Sequence, residues 1–110
     1  MKTRLFTSII AFSLLSSLAL AGSNVKQAKF KVFGNCSSCQ ERIEQSLKIK
    51  EVSSASWNKK TKMLTVKYNS SAITLDSLQK RVASVGHDTE KFKAADEVYN
   101  ELPGCCLYRN

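Results

Sequence analysis

The chain has 110 residues, of which 43% are hydrophobic, and its 17 basic and 9 acidic residues give a formal net charge of +8. This apolar content, with one proline and four glycines, excludes the collagen-like and intrinsically disordered classes. A chain of this length forms one small domain with little room for a buried catalytic cleft, so we expect a protein that is not an enzyme.

The first 21 residues differ in composition from the rest of the chain, since they hold 13 of the 47 apolar residues and no acidic residue. Lys2 and Arg4 precede an apolar, serine-rich run that ends in Ala-Leu-Ala at Ala21, which is the three-part pattern of a cleaved secretory signal. The run has about 16 residues, fewer than the ~20 that span a bilayer. We predict a signal peptide over 1–21, export to the periplasm, and no membrane anchor after cleavage.

The basic residues are scattered singly, apart from Lys59, Lys60 and Lys62 at a predicted turn. They lack the interleaved aromatic residues on which proteins that bind single-stranded nucleic acid stack the bases. A solvated basic surface is the better interpretation, and we expect no nucleic-acid partner.

The first two predicted elements are a strand and a helix. Apolar residues alternate with lysines over 28–33, which indicates a half-buried strand. The helix that follows places Cys39 and Leu47 on one apolar face with four-residue spacing, and Ser37 or Ser38 is its predicted cap.

A hairpin follows the first helix. Its predicted strands cover 52–57 and 63–68, joined by a turn. We expect Trp57 on the solvent side of the sheet and Tyr68 in the core.

A second helix and a last strand complete the domain. Thr74 is a good cap for the helix, and Gly86 ends it. A short last strand is predicted over 87–92. The expected buried face of the helix consists of Leu75, Leu78, Val82 and Val85.

The order β-α-β-β-α-β predicts an α+β, ferredoxin-like sandwich with an antiparallel four-stranded sheet and both helices on one face. We assign this domain to 22–93. Residues 94–110 form a C-terminal tail in which a helix is predicted over 94–102. The tail is too apolar for a disordered end, and we expect it to fold back on the domain.

Cys36 and Cys39 form a Cys-Ser-Ser-Cys motif between a strand end and a helix start. Free backbone N–H groups and the positive helix end lower the pKa of a thiol there. A thiolate is both a nucleophile and a soft-metal ligand, so the spacing alone leaves metal binding and redox exchange open. A thioredoxin-like fold usually has a cis-proline facing the pair, whereas the one proline, Pro103, lies far from any predicted strand. Disulfide bonds among the four cysteines are a further alternative.

A family resemblance rests on Phe30 to Gly34, Asn35, the Cys-Ser-Ser-Cys motif, Ile43, Leu47, Val52 and Gly86-His87-Asp88. At these positions, between residues 25 and 92, the chain resembles the heavy-metal-associated domain family of copper chaperones, metal-ATPase amino-terminal domains and the periplasmic mercury-binding protein. The resemblance implies that one soft ion, usually Cu(I), binds to the sulfurs of Cys36 and Cys39. The loop departs from the family pattern because it is one residue shorter and lacks the usual methionine, which bears on metal preference.

The chemistry of the ligands favours the same metals independently of the family resemblance. Two thiolates with few other donors favour Cu(I), with Hg(II), Ag(I), Cd(II) or Zn(II) as alternatives, and exclude Mg(II) and Ca(II). Zinc prefers four ligands, and Cys105 and Cys106 are candidates to complete four. A disulfide between these adjacent cysteines is disfavoured, because its geometry falls outside the usual Cα separations. His87 is a candidate third ligand or proton-sensitive gate; the alternative is a surface turn residue.

We therefore predict an exported soft-metal carrier, with Cu(I) preferred, that acts in metal transport or detoxification. It would contact a transporter or efflux protein transiently and pass the ion by ligand exchange. We expect a monomer, with a metal-bridged dimer as the alternative. The alternative functions are a small thiol–disulfide redox protein and a structural zinc module.

Overall fold

The computed structural model describes residues 24–109, so the predicted signal peptide lies outside the described residues. Within this part of the chain, no helix is long and apolar enough to cross a membrane. The elements in chain order are β1 (Val25–Lys31), α1 (Ser37–Ser46), β2 (Val52–Trp57), β3 (Met63–Asn69), α2 (Leu75–Ser84), α3 (Asp96–Tyr99) and a 3-10 turn (Gly104–Cys106).

The sheet is antiparallel with the strand order β1-β3-β2, so β3 is its central strand. The predicted last strand consists of a single antiparallel bridge, Val32 to Thr89, beside β1. A tight turn explains why it is so short, because the Thr89 N–H donates to Phe92 O at 2.7 Å and leaves no extended ladder. The α+β, ferredoxin-like fold is confirmed, with this bridge at the position of the fourth strand.

Alternating residues of β3 face the helices and form the centre of the core, as predicted. Leu64 and Val66 are fully buried, and Tyr68 is nearly so. The expectation that Trp57 faces solvent is wrong, since its side chain is only 1% exposed. Trp57 pairs with Leu64 across the β2–β3 ladder, and directly opposed residues lie on the same face of a sheet. The core face of the helices includes Ile43, Leu47, Leu78 and Val82.

The two main helices begin and end through local capping. Thr74 Oγ1 accepts the Ser77 N–H at 3.1 Å, which confirms the predicted cap of α2. Gly86 follows α2 with φ 110°, a conformation that favours glycine. The predicted cap of α1 at Ser37 or Ser38 is wrong, because the helix begins at Ser37 and Cys36 is its N-cap residue.

The C-terminal tail packs on the domain, as predicted, but its helix is shorter than predicted. It is confined to α3, because Ala95 is extended before it and Pro103 follows closely. Tyr99 and Leu102 are buried, and Cys106 is fully buried. We call residues 94–109 the strap, since this segment runs back to the start of α1.

Candidate metal centre

Contacts with Trp57 and Cys39 hold the loop between β1 and α1 in place. Gly34 lies so close to its neighbours that a Cβ there would be 3.1 Å from Cys39 Cβ and 3.2 Å from the Trp57 ring. The Trp57 indole N–H donates to Val32 O at 3.0 Å, just before the loop. Close packing at Gly34 and the hydrogen bond from Trp57 therefore fix the loop so that Cys36 lies at the start of α1.

Backbone N–H groups of the loop point at the sulfur of Cys39. The N–H groups of Asn35 and Cys36 each donate to Cys39 Sγ at 3.4 Å, and this side chain is fully buried. The amino-terminal end of α1 adds the positive pole of the helix dipole. When Cys39 is reduced, these groups are placed to stabilise a thiolate at its sulfur.

Cys36 is more accessible than Cys39. Burial acts to raise the pKa of the Cys36 thiol, but hydrogen bonds with Cys105, Ser38 and the backbone outweigh burial and lower the pKa to about 7. A substantial fraction of this thiol is therefore ionised at neutral pH. An ionised, half-buried sulfur suits both metal binding and attack on a disulfide.

The strap brings the other two cysteines to the loop. Cys36 Sγ lies 3.3 Å from Cys39 Sγ, 2.6 Å from Cys105 Sγ and 3.4 Å from Cys106 Sγ. Cys39 and Cys106 form a disulfide with a Cα separation of 5.8 Å, and the Sγ atoms of Cys105 and Cys106 are 4.0 Å apart. Cys36 Sγ thus lies within 3.4 Å of each of the other three sulfurs, so the strap brings all four cysteines to the loop, as the alternatives of a four-cysteine metal site and of cross-linking disulfides both require.

Contacts made without sulfur hold the strap in place. The Tyr108 hydroxyl accepts from the Asp88 N–H and donates to Gly86 O, each at 2.7 Å. The Arg109 guanidinium contacts both carboxylate oxygens of Asp88, at 2.7 and 3.2 Å. Burial alone would raise the pKa of Asp88, but hydrogen bonds from Arg109 and Ala94 hold it below its usual range.

His87 lies behind the loop and does not join the sulfurs. Its Nδ1 is 2.7 Å from Phe33 O, and its ring stacks on Tyr108 with the ring centroids 5.5 Å apart. In residues 24–109, the ligand atoms that lie within 4.8 Å of one another belong to Cys36, Cys39 and Cys106, and both His87 and Cys105 are outside this group. The alternative of a surface turn residue is wrong, because His87 is fully buried.

Burial also sets the charge of His87. It lowers the pKa of the imidazole, and the Phe33 carbonyl offsets this only in part. Within the described residues, His87 Nε2 has no hydrogen-bond partner. The ring is therefore a neutral packing element that supports Phe33 and Tyr108.

Sequence reasoning missed two basic residues at the site. Arg42 Nη1 lies 3.5 Å from Cys106 Sγ, one turn into α1, and Arg109 fastens the strap. Arg42 could have been predicted, because it follows Cys39 by three residues and residues three apart lie on the same helix face. No local pattern could show that Arg109 meets Asp88.

The fold and the site define a small α+β protein in which a thiol-bearing loop at a helix start can hold a soft metal ion. The model of the family described as heavy-metal-associated domain matches residues 29–88, which is more than half of the chain. The chain belongs to this family.

Solved structures agree with this family. The CopZ metallochaperone is 26% identical, with a TM-score of 0.56, over 58% of this chain and 98% of that chain. The amino-terminal domain of a potential copper-translocating P-type ATPase from Bacillus subtilis, in the Cu(I)-loaded state, is 31% identical, with a TM-score of 0.56. The match covers 59% of this chain and 84% of that domain. The apo amino-terminal domain of the zinc(II) ATPase ziaa is 34% identical, with a TM-score of 0.51. The match covers 59% of this chain and 63% of that domain. No curated protein matches the chain. Together these likenesses support a role in metal binding or transport.

Proposed function

We propose that this protein is an exported, non-enzymatic carrier that binds Cu(I) through Cys36 and Cys39 and passes the ion to a transporter or efflux protein. The observation that carries the proposal is the pair of sulfurs 3.3 Å apart at the start of α1, where two backbone N–H groups point at one of them. Thiolates are soft ligands, and soft ligands select Cu(I) over hard cations.

Ligand exchange is the transfer mechanism that this site supports best. Cys36 is half-buried and partly ionised, whereas Cys39 is fully buried. An incoming thiolate from a partner can therefore approach the ion on the Cys36 side. With two protein sulfurs on the ion, a third can bind before the first leaves, so that no free ion is released.

The solved neighbours support the choice of metal and partner. One is a metallochaperone and another is the Cu(I)-loaded domain of a potential copper-translocating ATPase. Because another neighbour is a domain of a zinc(II) ATPase, Zn(II) is an alternative cargo for this protein, beside Hg(II), Ag(I) and Cd(II). A transient complex between monomers suits such a carrier.

Competition for Cu(I) against a chromogenic chelator, without oxygen and after reduction with a phosphine, tests the proposal. Replacing both loop cysteines, in Cys36→Ser/Cys39→Ser, should lower Cu(I) affinity by orders of magnitude, because no pair of neighbouring loop thiolates remains. The matched control, Cys105→Ser/Cys106→Ser, loses the same number of thiols from the strap and should still bind one Cu(I). Unchanged affinity in the loop variant would contradict the carrier function.

The Cys39–Cys106 disulfide favours a second candidate, a small thiol–disulfide exchange protein. The Cys36 sulfur lies 3.4 Å from Cys106 Sγ, within reach for attack on that bond. This function requires turnover, so the test is catalysis of disulfide exchange in a model peptide with a dithiol as reductant. A carrier should give no acceleration over the uncatalysed exchange.

A further inference from the structure

The strap has its own anchors, so its position does not depend on bonds between sulfurs. Tyr108 bridges Gly86 and Asp88, and Arg109 pairs with Asp88. The Leu102 side chain packs so closely on Gly86 that a Cβ there would lie 2.8 Å from Leu102 Cδ2. Reduction of the disulfide therefore leaves the strap cysteines beside the loop.

Three of the six sulfur–sulfur distances suit a site for a single ion. A tetrahedral site with metal–sulfur bonds of 2.3 Å has sulfurs about 3.8 Å apart. Three of the sulfur pairs here are 3.3, 3.4 and 4.0 Å apart. Cys36 and Cys105, at 2.6 Å, would have to move apart by about 1 Å, and Cys39 and Cys106 separate once their disulfide is reduced. Cys105 Sγ lies outside the group of sulfurs within 4.8 Å of one another, so it would have to move closer to Cys39 Sγ.

The surroundings favour several thiolates at once. Four thiolates around one cation leave a net negative charge, which needs positive groups nearby. Arg42 Nη1 lies 3.5 Å from Cys106 Sγ, on the strap side of the cluster. The N–H groups of Asn35 and Cys36 face Cys39 on the loop side. Positive groups thus approach both a loop sulfur and a strap sulfur.

We infer that Cys105 and Cys106 join Cys36 and Cys39 in a four-thiolate site for a soft cation, which the strap closes. This inference deepens the proposed function and rests on it, because the loop sulfurs are shared. The closed site retains the ion with four sulfurs. The ion is transferred once the strap sulfurs leave and two loop sulfurs remain.

The closed site forms only after the disulfide has been reduced. An external dithiol supplies two electrons and two protons to Cys39–Cys106 and itself becomes a disulfide. The protein then carries four thiols, and binding of the cation releases the thiol protons to solvent. The oxidised protein holds no four-thiolate site. Metal loading therefore depends on whether the compartment keeps these cysteines reduced.

The number of sulfurs around the ion tests the inference directly. The reduced full mature chain is loaded with one equivalent of Cd(II) or of Cu(I) without oxygen, and X-ray absorption counts the sulfur neighbours. We expect about four sulfurs per Cd(II) in the wild-type protein and two in Cys105→Ser/Cys106→Ser. Affinity for Cd(II) should fall by more than about tenfold, since even changes outside the ligand shell reach that size.

Two further variants keep the outcomes distinct. Cys105→Ser alters an exposed side chain, leaves Cys106 in the core, and should give three sulfurs. The loop variant Cys36→Ser/Cys39→Ser should bind neither ion tightly. A sulfur count that is the same in wild type and strap variants would overturn the inference but leave the carrier function intact. A wild-type protein that binds neither ion would refute the carrier function itself.

Discussion

The strap is expected to loosen when the hydroxyl of Tyr108 is removed. This hydroxyl joins the Asp88 N–H and Gly86 O through two hydrogen bonds of 2.7 Å each. Tyr108→Phe keeps the ring, and with it the contacts to His87 and Tyr99, so that only these hydrogen bonds are lost. The change therefore isolates one anchor of the strap.

The magnitude follows from the energy of hydrogen bonds in proteins. Each contributes about 1 kcal/mol net, so the loss of two weakens strap docking by about 2 kcal/mol. Since 1.4 kcal/mol is a factor of ten in an equilibrium constant, the open fraction of the strap rises by about 30-fold.

Alkylation of Cys106 measures this opening, because its side chain is fully buried when the strap is docked. In reduced, metal-free protein, the alkylation rate at Cys106 should rise by about the same factor of 30 in Tyr108→Phe. Tyr68→Phe removes a hydroxyl from the sheet instead and should leave the rate unchanged. An unchanged rate in Tyr108→Phe, or an equal rise in both variants, would refute the hydrogen-bond account of docking.

Two further predictions concern Gly86 and His87. Gly86→Ala should destabilise the fold by about 1–3 kcal/mol in urea unfolding, because φ is 110° and the new Cβ would contact Leu102, whereas Gly104→Ala has open space and should change stability by less than about 0.5 kcal/mol. For His87, burial lowers the folded pKa below 6.5, so the unfolded chain binds the proton more readily. Stability is then fully present above pH 6.5 and falls as the pH drops, by up to about 1.4 kcal/mol per pH unit. Urea unfolding between pH 7.5 and 5 should show a flatter profile in His87→Asn, and identical slopes would show that His87 does not titrate on unfolding.

The sequence predicted the domain well where local patterns decide the structure. Alternation located the buried face of β3, and four-residue spacing located that of α1, because a single face of each element is buried. Trp57 was misplaced because its side depends on the ladder with β3, and the register shifts between Val52 and Ser54. Such an irregularity reverses which side chains face the core and leaves no mark in composition.

The strap was predicted to fold back, but the contacts that hold it were not. Arg109 meets Asp88 across 21 residues, and Tyr108 meets Gly86 across 22. Each contact joins a residue of the tail to the turn after α2, and neither has a periodic signature. The sequence could therefore name Cys105 and Cys106 as candidates, whereas only the folded chain shows the anchors that place them.

These anchors explain how one site can both retain and release an ion. The loop by itself offers two sulfurs, and the strap adds two more at the cost of keeping a short segment docked. Once the Cys39–Cys106 disulfide is reduced, the hydrogen bonds and ion pair at Asp88 and Gly86 hold the strap, so it can open while Cys36 and Cys39 stay in place. The free energy of docking then sets how strongly the strap sulfurs hold the ion, so Tyr108 tunes metal retention without contacting the metal. A partner that competes for the strap, or an oxidant that links Cys39 to Cys106, would shift the same balance by removing sulfurs from the ion.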